Sequence, residues 1–179
     1  DYEGFDLLLE AARIARAEGL DVRVLLVGDG AARQALERQV MQGGLGDVAV
    51  FTGRVPSDAV AAYRDALDLF VVPRHDRAVT RTVSPLKPVE AMASGRPLLV
   101  SALPPLIEAV GAEMEALGAV VPADDAHALA RRIAELAEDA ALRARLVTAG
   151  KSRAAARSWS EIGRTYRDAF AEIGTGRAV

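Results

Sequence analysis

Four apolar, β-branched runs recur along the chain, VRVLLVG (22–28), VAVFTG (48–53), LDLFVVP (67–73) and PLLVS (97–101), each separated from the next by a helical pattern. Strands apolar at nearly every position are buried on both faces, and parallel neighbours can be joined only by long crossovers such as helices. The alternation therefore predicts an α/β fold: a doubly wound, mostly parallel sheet with helices on both faces, Rossmann-like in layout. In such sheets ligands bind outside the carboxyl ends of the strands, so the loops after Val27, Phe51, Val72 and Val100 are the ones to read for chemistry.

The remaining segments fit this frame. EGFDLLLEAARIARAEG places Phe5, Leu8, Leu9, Ala12 and Ala15 on one helical stripe and stops at Gly19. DGAARQALERQVMQGG reads as a helix with Leu36 and Val40 inward. A short helix over 57–66, a loop to about 83, a helix from about 85 to 94, a short strand at 118–121 and helices near 125–137, 139–156 and 160–173 complete the reading. No linker divides the chain, so residues 1–179 are expected to form one domain that includes the C-terminal helices at about 125–173. The chain opens directly on a helix, whereas a doubly wound sheet starts with its central strand. The expectation is a piece of a longer polypeptide, with a strand missing in front.

Composition narrows the function. The net charge is −3, and the 22 basic residues are scattered among 25 acidic ones, which lacks the footprint of a nucleic-acid binder. There is no cysteine, hence no thiol nucleophile and no thiolate metal site. His75 and His127 are too isolated for a His-based metal site and read as loop or surface residues. No apolar run reaches the ~20 residues of a membrane span and no signal-peptide pattern is present; a cytoplasmic location is expected, with no indication of membrane association.

Three loops could carry chemistry. In VGDGAAR, Gly28 and Gly30 let a backbone approach a ligand at a helix N-terminus, or simply form a tight turn; Arg33 stands where a dinucleotide fingerprint would need a third glycine. In FTGRVPSDAV, Arg54 and Val55 follow a strand and either turn the chain or form a lip against a flat ring. The third, PRHDRAVTRTVSPLKPVEAMASGRP, holds Arg74, Arg77, Arg81 and Lys87, with Pro85 suited to a first helical turn whose free amides, with Lys87, would accept a diphosphate. Glu90, between Val89 and Met92, is expected on the buried side. There it would take either a fork of sugar hydroxyls or a salt bridge to Lys87 or Arg96, and the arginines could equally be solvated. Asp65, Asp68, Asp124 and Asp125 read as solvated helix ends and caps. No serine has a nucleophile-elbow setting.

Taken in order, YEGFDLLLEAARIA, VRVLLVGDG, VAVFTGRVP, LDLFVVPR, LKPVEAMASGRPLLVS and RSWSEIGRTYRDAF resemble the successive blocks of the C-terminal, donor-binding domain of retaining family 4 glycosyltransferases of the GT-B fold. The resemblance covers essentially the whole chain. It implies a site for a nucleotide-diphosphate sugar, such as a UDP or GDP sugar, facing an acceptor held by an N-terminal domain absent from this chain, with no metal or other cofactor. Carried over by residue, Glu90 corresponds to the second carboxylate of an E-x7-E motif and holds the ribose hydroxyls. Pro85, Leu86 and Lys87, with Ser84 just before them, form the diphosphate turn. Arg54 and Val55 line the base, and Gly28 and Gly30 border the nucleotide; from the loop chemistry alone, Arg74 and Arg81 are candidate diphosphate cations. Three positions depart from the family pattern: Thr82 replaces the first motif carboxylate, Pro85 replaces the glycine of the turn, and Glu3 stands where many members carry lysine. The alternatives are a nucleotide-sugar-binding or regulatory module without transfer, which Thr82 favours, and a fold-related sugar-nucleotide epimerase. Trp159, Ile162, Tyr166 and Phe170 form an apolar stripe; since the terminal helix of the resembled family crosses toward the N-terminal domain, the stripe is expected to dock this helix there, with Trp159 insensitive to nucleotide.

Overall fold

The computed structural model describes residues 2–174; Asp1 and residues 175–179 of the expected domain lie outside the described residues. Helices and strands alternate through α1 (Phe5–Ala17), β1 (Val24–Val27), α2 (Arg33–Gln42), β2 (Ala49–Gly53), α3 (Val60–Asp65), β3 (Phe70–Val72), α4 (Lys87–Ser94), β4 (Leu98–Ser101), α5 (Pro104–Ala116) and β5 (Val120–Val121). Three helices follow, α6 (Ala126–Glu138), α7 (Ala140–Ala155) and α8 (Trp159–Gly174). Asp125 and Asp139 cap α6 and α7 by accepting the amides of Ala128 and Leu142, each at 2.8 Å.

The three strand pairings among the described residues are parallel, as the sequence predicts, with one isolated antiparallel bridge between Gly28 and Gly53. β1 pairs with β2 in the register Val24 to Ala49, β3 with β4 from Phe70 to Leu98, and β4 with β5 from Val100 to Val120. β4 is buried at all four positions, which explains its uninterrupted apolar run.

The strands fall into two groups, β2-β1 and β3-β4-β5, and β1 does not pair with β3. A doubly wound sheet of order 3-2-1-4-5-6 with its central position open has this arrangement. Between the groups lies a cavity of about 1750 Å³, walled by Leu25 and Leu26 of β1, Val71 and Val72 of β3, and Ile133 and Leu136 of α6. The amides of Val24 and Phe70 donate outward, to Val48 at 2.8 Å and to Pro97 at 2.9 Å. Backbone groups alternate in direction along a strand, so those of Leu25 and Val71 face the slot.

Two apolar cores flank this division. Leu9, Ala12, Val24, Leu26, Leu36, Val40 and Val48 make the smaller one. The larger gathers β3, β4 and β5 with residues of α4 to α7, including Leu98, Leu99, Leu106, Met114, Leu129 and Leu146. α1 belongs to both, giving Leu9 and Ala12 to the first and Ala11, Ile14 and Ala15 to the second.

Two sequence expectations need correction. α5 was not anticipated: Pro104 and Pro105 look like a loop but occupy the first turn, and Gly111 (φ 78°) kinks the helix. The kink frees carbonyls that arginines of the C-terminal region cover, Arg153 Nε donating to Ala109 at 3.1 Å and Arg157 Nη1 to Glu108 at 3.0 Å. α4 starts two residues late, with Leu86 as N-cap and Pro88 rather than Pro85 inside the first turn. The α8 stripe, expected to dock toward an N-terminal domain, faces solvent in this chain, Trp159 being 81% and Phe170 69% exposed.

Two outcomes are expected. In hydrogen exchange the amides of Leu25 and Val71 exchange much faster than those of Val24 and Phe70, and an apolar five-residue strand fused before Asp1 slows the first pair; equal rates for both pairs would show that the slot is closed. Acrylamide quenches Trp159 fluorescence as readily as that of a free indole derivative; weak quenching would show α8 packed down.

Candidate functional site

The carboxyl ends of β1, β2 and β3 open onto one wall of the cavity, and the crossovers leaving them supply its polar groups. After β1, Gly28 adopts φ 133°, which excludes a side chain, and its amide donates to Gly53 at 3.0 Å, drawing the two glycine turns together. Asp29 accepts the amide of Gly30 at 2.9 Å, which fixes the loop that leads into α2. Arg33 lies over the Phe51 ring at 5.9 Å and pairs with Glu37 at 2.8 Å. After β2, Arg54 is exposed and Val55 half-buried on the same wall.

α4 supplies the rest. Its buried face is Pro88, Ala91 and Met92, an i, i+3, i+4 set, so Glu90 points the opposite way. The expected burial of Glu90 is thus incorrect: its side chain is 57% exposed, and its nearest cation is Arg64 at 3.8 Å rather than Lys87 or Arg96. Arg96 instead donates to the Leu67 carbonyl at 3.1 Å. Arg64 Nε is buried and has no hydrogen-bond partner among the described residues. The amides of Lys87 and Val89 precede the first intrahelical bond of α4, from Glu90 to Leu86 at 3.0 Å, and Pro88 between them has none.

The cavity wall thus unites Gly28, Gly30, Arg54, Val55, Lys87 and Glu90. Others among the expected residues stand apart. Leu86 caps α4 with its side chain exposed, Pro85 is buried, and Ser84 is exposed. Thr82 is exposed, its hydroxyl donating to the carbonyls of Ala78 and Val79 at 3.3 and 3.2 Å. Arg81 forks onto Asp76 at 2.5 and 2.6 Å, which holds the Asp76 carboxyl below its usual range and raises the guanidinium. Arg74 is buried and forks onto Glu3 at 3.0 and 3.4 Å.

Glu3 is the residue that single-loop reasoning passes over as a site member. Its carboxylate also meets Lys87 Nζ at 2.9 Å, and the same ammonium lies 6.0 Å from the Phe5 ring. Burial alone would raise the Glu3 carboxyl, but hydrogen bonds from Lys87 and Arg74 outweigh it and hold it below the ordinary value. Its signals in the sequence are its departure from the lysine of the resembled family and its place before Gly4, whose φ of 71° lets the chain lie close to the end of β3: a Cβ there would lie 1.7 Å from the Pro73 carbonyl oxygen.

His75, expected as an ordinary surface residue, is a second junction. Nε2 faces Asp6 at 2.8 Å and Nδ1 bonds Asp124, while its amide donates to the Tyr2 carbonyl at 3.1 Å. Asp124, with φ 58°, also accepts the Asp76 amide at 3.2 Å and is therefore no plain cap. Both ring nitrogens face carboxylates, an arrangement that favours the doubly protonated ring, in which both donate. Burial lowers the His75 pKa, but Asp124 and Asp6 overcome it and the net shift is upward; Asp124 is shifted down in return.

Comparison with known proteins follows the same outline. Residues 1–139 match the family described as "Glycosyl transferases group 1". The chain is 38% identical over 80 residues to a 2-deoxystreptamine glucosyltransferase of Streptomyces kanamyceticus, covering 45% of this chain and 19% of that protein. It is similar to the structure of a sucrose-phosphate synthase from Thermosynechococcus elongatus, with TM-score 0.72, 32% identity, and 91% of this chain and 42% of that one covered. The Anabaena protein Alr3699/HepE, in complex with UDP-glucose, shares the fold at TM-score 0.77 and 20% identity, over 98% of this chain and 46% of that one. The chain thus spans less than half the length of these relatives.

The His75 junction gives a pH test. A raised folded-state pKa contributes stability that is complete below the unfolded value near 6.5 and is lost as pH rises through the folded pKa. His75→Gln is therefore expected to lower stability by roughly 1 kcal/mol near pH 6 and by less at pH 9, read from urea midpoints. A deficit that grows toward pH 9 would contradict the upward shift of His75.

Proposed function

Because this chain belongs to the group 1 glycosyltransferases, we propose that the wall uniting Gly28, Gly30, Arg54, Val55, Lys87 and Glu90 is the donor side of a sugar-transfer site. The whole protein then moves a sugar from a nucleotide diphosphate to an acceptor with retention of configuration. The observation that carries this reading is the convergence of two glycine turns, a helix N-terminus, a cation and an exposed carboxylate at the carboxyl edge of a parallel sheet.

In this reading the base lies against the Gly28–Gly30 turn and the Arg54–Val55 lip. Glu90, exposed and only loosely paired with Arg64, is free to accept a fork of ribose hydroxyls. The diphosphate meets the amides of Lys87 and Val89 and the Lys87 ammonium. Transfer breaks the bond between the anomeric carbon and the diphosphate oxygen, and the electron pair leaves with the diphosphate. The acceptor hydroxyl forms the new bond on the face the diphosphate leaves, and its proton passes to the departing diphosphate oxygen. Charge grows on the departing diphosphate, so fixed amides and a cation there lower the barrier without a nucleophile from this domain. The acceptor is met by a part of the protein outside these residues.

A donor-binding module without transfer is the second reading, favoured by Thr82, which carries no carboxylate and whose hydroxyl is engaged with backbone carbonyls. Turnover by the whole protein separates the two.

UDP is the first probe, GDP the second. Calorimetric titration is expected to show binding to this chain and a loss of about 1–3 kcal/mol in Glu90→Gln, the scale of a charged hydrogen bond. Equal affinity of the folded variant would remove Glu90 from the site.

A further inference from the structure

Three side chains from distant parts of the sequence meet beside the N-terminus of α4: Glu3 before α1, Arg74 after β3 and Lys87 at the first turn of α4. Arg74 is buried and cannot remain unpaired, and Glu3 satisfies it through two contacts. Lys87 is different. Its side chain is 47% exposed and reaches back to the same carboxylate at 2.9 Å. The one cation on the cavity wall that belongs to α4 is therefore already neutralised by an internal anion.

We propose that Glu3 is an affinity- and specificity-setting residue of the donor site, a built-in carboxylate that a bound diphosphate must displace from Lys87. This rests on the donor-site reading above. Glu3 holds the Lys87 ammonium, and an incoming phosphate takes that ammonium while Glu3 stays on Arg74. Gly4 seats Glu3 beside this corner, its φ of 71° letting the backbone lie so close to Pro73 that a Cβ would not fit.

Two consequences follow. A single phosphate gains Lys87 only by undoing an existing ion pair, so inorganic phosphate and nucleoside monophosphates bind poorly. A diphosphate that also reaches the α4 amides recovers the loss. After transfer, the return of Glu3 to Lys87 helps expel the nucleotide product.

The test is a calorimetric series with UDP, UMP and inorganic phosphate on this chain and on Glu3→Gln, which removes the charge but keeps an oxygen for Arg74. The variant is expected to bind UDP about tenfold tighter, with a larger relative gain for UMP, and the gain shrinks at high salt. In the variant background Lys87→Gln is expected to cost more UDP affinity than in the original chain. Glu3→Asp, too short to span Arg74 and Lys87 together, serves if Glu3→Gln does not fold, and its UDP affinity is expected to rise likewise. UDP affinity that is unchanged or weaker in a folded Glu3 variant overturns the proposal alone. Absence of UDP and GDP binding to both the original chain and the variants overturns the donor-site reading and this proposal with it.

Discussion

Parallel strands cannot be joined by hairpins, and that restriction sets where most of the candidate site's residues lie. Each strand must be followed by a crossover that returns along a face of the sheet, so the turns that leave the strands gather on one edge. β1 leaves through Gly28, β2 through Gly53 and Arg54, and β3 through Pro73, Arg74 and His75. The first turn of α1 sits against the last of these, and that contact brings Glu3 and Asp6 to the same edge.

The sequence makes this scaffold legible because burial on two faces leaves a visible trace. The β4 run LLVS is apolar because all four of its positions are closed to water. Local conformational rules were less informative where two readings coincide. Pro104 and Pro105 are equally at home in a loop and in a first helical turn, and Gly111 then interrupts the period that would have revealed α5. In α4 the neighbours Val89 and Met92 drew Glu90 inward, yet Pro88, Ala91 and Met92 are the residues that define the buried side. Counting from that set instead of from adjacency places Glu90 outward.

The candidate site was legible in part for a related reason. Gly28, Gly30, Arg54, Val55, Lys87 and Glu90 lie in short segments whose chemistry can be read locally. The pairings that govern their charge cannot, because Glu3 reaches Arg74 and His75 reaches Asp6 and Asp124 only after the chain has folded. Arg74 and Arg81 looked like free cations, yet each is bound to a carboxylate. In a chain with more acids than bases, a cluster of arginines is a poor guide to anion binding until its partners are known.

The position of α1 between the two apolar cores has a bearing on how the protein comes apart. The strands form two groups without a shared hydrogen bond, an arrangement that would ordinarily let each half melt at its own temperature. α1 couples them, since Leu9 and Ala12 seal one core while Ala11, Ile14 and Ala15 seal the other. Loosening either half removes the helix that the other half needs, so the two lose their packing as a single cooperative unit despite the open slot between them.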